Sequence, residues 1–332
     1  MRVTRMLAAV AAVSVALAGA ASAQTLIVLN KSDHEAALVN PATLEVTAKL
    51  PTGKGPHEVA VPADGRYAYV SNYGSYAVFR PGEQRQAPGD TITVLDLKAR
   101  KVAATWALGE YKRPHGIVTS RDGKRVWVTT EEAKAVLEIE TSSGKISKAW
   151  KTEQETSHMV APTPDEEKLY VANIQSGSVT VITRATGGVR TIVTAAGTEG
   201  IDVSPDGKEI WASNRGANTI SVIAVATDTV KESFDSGGKM PIRVKFTPDG
   251  KEVFVSNAQS NLVSVFDAKT RALLAKVEVG MVPVGIQMTP DGKRAFVANT
   301  NANKISVIDV AARKVVSTFE TGKEPDGMAW AR

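Results

Sequence analysis

Three of the four histidines in this 332-residue chain recur in one local setting, Pro56-His57-Glu58, Pro114-His115-Gly116 and Ser157-His158-Met159, each at the start of a short β-prone run. Imidazole is a common metal ligand, and three ring nitrogens with an open fourth position suit copper, zinc or iron in its ferrous state. Glu199 or the fourth histidine, His34, can complete such a shell. Histidines that only cap a turn or bond a neighbouring carbonyl would have no need to fall in consecutive repeats.

The elements that must position them are themselves repeated. Short runs end at Asn30, Asn72, Thr130, Asn173, Asn214, Asn257 and Asn299, spaced 42, 58, 43, 41, 43 and 42 residues apart. A period of about 40 to 45 residues built only from short strands is that of a propeller blade. Asp64-Gly65, Asp122-Gly123, Asp206-Gly207, Asp249-Gly250 and Asp291-Gly292 mark a hairpin inside most units, with Asp165-Glu166 as the departure. The fold class predicted is all-β, a seven-bladed β-propeller with ring closure between the N- and C-terminal strands. Pro325 to Trp330 supplies the inner strand of a blade whose next strand is Leu26 to Asn30. Pairing the two ends leaves no long open edge.

Strand order within a unit reads as inner strand a (59–61), b (67–71), c (91–95) and outer strand d (101–106). Antiparallel alternation then sends the b-to-c loops and the connections between blades to one face, here called the top. The histidines fall directly before strand a in three consecutive blades, and their column continues round the ring as Glu199, Ile242, Val284 and Asp326. Half of the channel mouth is thus imidazole and carboxylate, and the far side is partly apolar. Thr130 breaks the asparagine column, and the Glu131 and Glu132 that follow it would bring a carboxylate near His115 and His158. The asparagines themselves read as structural, since an amide at a strand end bonds local backbone. One insertion of about 14 to 16 residues follows Asn72 on the top face. Its Tyr73, Tyr76, Phe79 and Arg80 predict a lid or docking element, and together with Asp326 form a candidate cofactor-binding set.

Composition narrows the class. Met1 to Ala23 has the form of a secretory signal, with Arg2 and Arg5 ahead of an apolar stretch and Ala21-Ser22-Ala23 as the cleavage site. The expected mature protein is a single domain of residues 24–332 in the periplasm, with no membrane span. The absence of cysteine excludes disulfides, a lipidated-cysteine anchor and Cys-x-x-Cys-His haem attachment. The formal charge of +5 is spread over the turns rather than gathered into a stripe, which argues against nucleic acid. Neither a Gly-x-Ser-x-Gly elbow nor a His-Glu-x-x-His helix is present, so serine hydrolase and zincin chemistry lack their residues.

The runs Tyr69-Val70-Ser71-Asn72, Tyr170-Val171-Ala172-Asn173, Phe254-Val255-Ser256-Asn257 and Phe296-Val297-Ala298-Asn299 resemble the YVTN-family β-propeller repeat over essentially the whole mature chain. That resemblance implies a surface or periplasmic binding protein. Its wider structural relatives include haem d1 domains, quinoprotein amine dehydrogenase subunits and nitrous oxide reductase. The four top-face histidines are also similar in arrangement, though not in sequence, to the iron-holding histidines of carotenoid-cleavage oxygenases. The leading reading is a periplasmic propeller that binds a transition metal, or a metal-containing cofactor such as a haem d1-like tetrapyrrole. A metal-dependent oxidoreductase and a cofactor-free scaffold for a periplasmic partner protein are the alternatives.

Overall fold

The computed structural model describes residues 24–74 and 87–332, which form seven four-stranded antiparallel sheets whose inner strands adjoin one another in a closed ring. Residues 1–23, and with them the expected leader, lie outside the described residues, as do Tyr76, Phe79 and Arg80 of the long loop. Among the described residues no helix is long and apolar enough to cross a membrane.

The first blade is shared by the two ends of the chain. Thr25–Asn30 pairs antiparallel with Pro325–Ala331, placing Leu26 opposite Trp330 and Val28 opposite Met328. Side chains reinforce the join: Lys31 Nζ is 2.9 Å from Asp326 Oδ2, and Thr321 donates its hydroxyl to Asn30 Oδ1 at 2.8 Å. The second blade runs through Pro56–Ala60, Tyr67–Asn72, Thr91–Asp96 and Lys101–Ala107, and the other five repeat that order.

Middle strands such as Arg125–Thr130 are buried almost throughout, whereas the outer strand Lys101–Ala107 alternates exposed and half-buried positions because one face meets water. The core lies between blades: Trp127 and Val136 of the third pack on Val160 and Leu169 of the fourth. In the Asp-Gly turns the glycine has positive φ, and at the one departure Glu166 takes that left-handed place itself at φ 59°. The asparagine column is structural, as read. Asn72 donates to Thr91 and Thr93 hydroxyls at 3.0 and 2.9 Å and accepts from the Gly53 N–H at 3.0 Å, fastening strands b and c to the incoming connection.

The inner strands begin earlier than the sequence suggests. His57, His115 and His158 are each the second residue of strand a, in Pro56–Ala60, Pro114–Thr119 and Ser157–Pro162, rather than ahead of it. Pairing slips by one residue between Pro56 and Val59, between Pro114 and Ile117, and between Ser157 and Val160. The extra residue is a bulge, which breaks the simple alternation used to read the strand and re-aims side chains.

Candidate metal centre

The bulges of His57 and His115 are each held by a hydroxyl one residue before the end of strand b, a place that Ala172 takes in the blade of His158. Ser71 Oγ accepts the Glu58 N–H at 3.2 Å and donates to the carbonyl of His115 in the next blade at 2.6 Å. Thr129 accepts from Gly116 N–H at 2.9 Å and reaches the carbonyl of His158 at 2.6 Å. The histidine backbones are therefore stitched blade to blade. Close approach of inner strands also needs glycine: a Cβ on Gly116 would stand 2.6 Å from the His158 oxygen, and one on Gly327 2.2 Å from the His57 oxygen.

The three imidazoles consequently meet. Ring centroids of His115 and His158 are 3.6 Å apart, and those of His57 and His115 are 5.0 Å apart. Glu131 joins them, with Oε1 2.6 Å from His158 Nδ1, so the carboxylate that the break at Thr130 pointed to lies in the group. Among the described residues, His115, Glu131 and His158 offer three ligand atoms within 4.8 Å of one another.

The remaining sequence-predicted residues divide. Glu199 Oε1 lies 3.5 Å from His158 Nε2, and Arg215 holds the other carboxylate oxygen at 2.9 Å. Tyr73 packs its ring 4.5 Å from His57 and donates its hydroxyl to Glu131 Oε2 at 2.5 Å. Asp326 stays beside His57 but is paired with the wholly buried Lys31. His34 is held by backbone, with Nδ1 2.9 Å from the Lys31 carbonyl oxygen and 3.1 Å from the Gly55 nitrogen. Arg113, which sequence reasoning passed over, pairs with Glu132 at 2.8 Å and lies 5.0 Å over the Tyr73 ring.

Burial and charge set three different states for three similar rings. Burial, followed by the neighbouring Lys31 charge, holds His57 down to about 3. His115 also lies well below the ordinary value, through burial and then its two histidine neighbours. Burial opposes the charge on His158 as well, but Glu131 and Glu199 outweigh it and raise that ring to about 9. His57 Nδ1 faces the Gly55 carbonyl at 2.8 Å and so carries the proton, leaving a lone pair on Nε2. Neither His57 Nε2 nor His115 Nδ1, both buried, has a hydrogen-bond partner among the described residues. A buried polar atom left in that state costs about 1–3 kcal/mol, and native interiors rarely tolerate it.

Fold and site together define a seven-bladed β-propeller with a histidine–carboxylate cluster at one channel mouth. Two family models match part of the chain: one described as lactonase, 7-bladed β-propeller, over residues 189–281, and one described as YNCE-like β-propeller over residues 244–331. Both stretches begin after His158, so they speak to the scaffold and not to the three histidine blades. No match is found among the curated proteins. Among solved structures, hydrazine synthase of Kuenenia stuttgartiensis is similar at 23% identity and TM-score 0.74, covering 86% of this chain and 92% of that one. A functionally unknown protein from Desulfotomaculum acetoxidans matches at 14% identity and TM-score 0.79, covering 93% and 99%. The dihydro-heme d1 dehydrogenase NirN in complex with DHE matches at 18% identity and TM-score 0.66, covering 89% of this chain and 63% of that one. At these identities the likeness is one of fold.

Proposed function

We propose that the protein is a periplasmic propeller that holds a divalent transition-metal ion at its top-face mouth through His115, His158 and Glu131, with His57 as the next nitrogen. The observation that carries this reading is the grouping of His115, His158 and Glu131, together with two buried nitrogens, His115 Nδ1 and His57 Nε2, that have no hydrogen-bond partner among the described residues. Histidines placed only for packing would be expected to have their nitrogens satisfied. Two imidazoles and a carboxylate form a donor set for zinc or ferrous iron, and a further imidazole extends it to copper. An ion bound there would be held by His158 and Glu131, which now share a proton at 2.6 Å, with Glu199 as the outer partner of the His158 ring. The leader read in the sequence supplies the periplasmic address.

A tetrapyrrole is the second reading, supported by the NirN likeness. The 3.6 Å ring contact favours an ion inside the cluster, since no macrocycle fits between His115 and His158. With one coordination position open the propeller would be a metal-dependent oxidoreductase, and with its shell filled a carrier. Calorimetric titration of metal-free protein with zinc should show about one equivalent bound, and none for the His57→Ala, His115→Ala, His158→Ala triple variant. Equal heats from the two proteins would remove the site and leave the scaffold reading.

A further inference from the structure

Below the histidines the channel is crossed by a septum. Arg243 of the sixth blade reaches over the axis to pair with Glu58 of the second, and its Nη1 lies 3.3 Å from Met159 Sδ of the fourth. Burial opposes the charge on this guanidinium, but Glu58, Asp326 and Glu199 together outweigh it and raise the group above its ordinary value. Beneath the septum is a cavity of about 440 Å³, which continues into a mouth of about 600 Å³ on the face of the Asp-Gly turns. Cavities of that order hold small molecules.

The wall of this funnel is divided. Three residues beyond the histidine column, blades one to four present Ala329, Ala60, Val118 and Ala161, whereas blades five to seven present Asp202, Lys245 and Gln287. The polar half therefore lies on the opposite side of the ring from the histidines above. Asp202 is committed twice, accepting the Phe246 N–H at 2.9 Å and meeting Lys245 at 3.3 Å. Lys245 makes only that one long contact and is 36% exposed, while Gln287 turns its amide nitrogen to the Met288 carbonyl at 2.8 Å. Arg121, whose guanidinium donates to the Pro164 carbonyl at 2.7 Å, and Arg332 line the mouth, and Glu58, the other acid facing the cavity, is tied to Arg243.

We infer that this funnel is a second ligand site, separate from the histidine mouth, for a small organic carboxylate. The apolar body rests on the alanine and valine side with Met328 and Trp330, and the carboxylate meets the Lys245 ammonium and the Gln287 amide. Charge complementarity selects the anion, because the half-exposed Lys245 ammonium keeps donors beyond its single 3.3 Å contact with Asp202, whereas Asp202 accepts two partners and Glu58 is tied to Arg243.

Calorimetric titration of the full chain with benzoate, benzamide and benzylamine tests this with one ring and three charges. Benzoate should bind, benzamide about tenfold more weakly, and benzylamine not measurably, as expected for loss of a charge-assisted hydrogen bond. Lys245→Met should weaken benzoate about tenfold or more while leaving zinc binding at the top unchanged. Asp202→Asn should tighten benzoate, because it releases the ammonium; this second variant keeps the test valid if Lys245→Met melts early. Equal binding of the three probes, no heat from benzoate, or a Lys245→Met variant that binds it like wild type would overturn the proposal.

Discussion

The same bulge at the same height of the channel carries histidine on blades two to four and Ile242 and Val284 on blades six and seven. The first set meets in a cluster containing partnerless nitrogens and a carboxylate; Val284 lies in an apolar cluster with Phe296 and Met328, with Ile242 packed against it. The backbone device is common to both. What separates a candidate ion site from a packed wall is one side chain per blade, along with the Glu131 that follows the break at Thr130. A propeller ring thus provides positions, and chemistry is placed on only part of it.

The largest effect should strike both halves together, because both depend on closure. Removing residues 24–40 deletes two strands of the shared blade and exposes the edge of Pro325–Ala331, so the truncated protein should aggregate or lose its cooperative melt. A truncated chain that stays monomeric and melts as before would refute closure as the source of the ring's stability.

Next, single substitutions should pull the halves apart. Val284→Ala should cost about 2 kcal/mol of stability and leave zinc binding intact. His115→Ala, at the centre of the three, should do the reverse, losing zinc with little change in melting of the metal-free protein. If both variants lost stability alike and metal binding followed, the histidine half would be core like the other.

A smaller effect is the pH profile of metal-free protein followed by denaturant unfolding. With His57 depressed to about 3, the unfolded chain takes up a proton below the ordinary value of 6.5 that the folded one refuses, so stability falls as pH drops through that window. His158 runs the other way: its contribution is complete below 6.5 and is lost as pH rises through about 9. His57→Phe should flatten the acid limb and His158→Gln the alkaline one; unchanged limbs would show that the two rings do not differ as described.

Much of this was legible because repeats make distant residues comparable. Once the strand-b endings were aligned, His57, His115 and His158 fell into one column, and Thr130 exposed Glu131 as out of pattern. The hydroxyls of Ser71 and Thr129 form a readable column too, one place before the strand end. Partners across the axis were not legible, since Arg243 and Glu58 are 185 residues apart and meet only because opposite blades face each other at that height. Lys31 gave no signal either; a lysine after a strand normally reads as solvated, and only closure buries it against Asp326. The divided lower funnel was hidden by the same bulge that shifted strand a, because residues beyond it no longer keep the alternation that tells channel from interior.

The most direct test of the metal assignment is X-ray absorption at the zinc edge of protein loaded with one equivalent of zinc. A zinc ion held by the histidine cluster should show two or three imidazole nitrogens at about 2.0–2.1 Å together with carboxylate oxygen, and the imidazole scattering should be lost in the histidine triple variant. A first shell of oxygen alone, or one unchanged by the triple substitution, would contradict it.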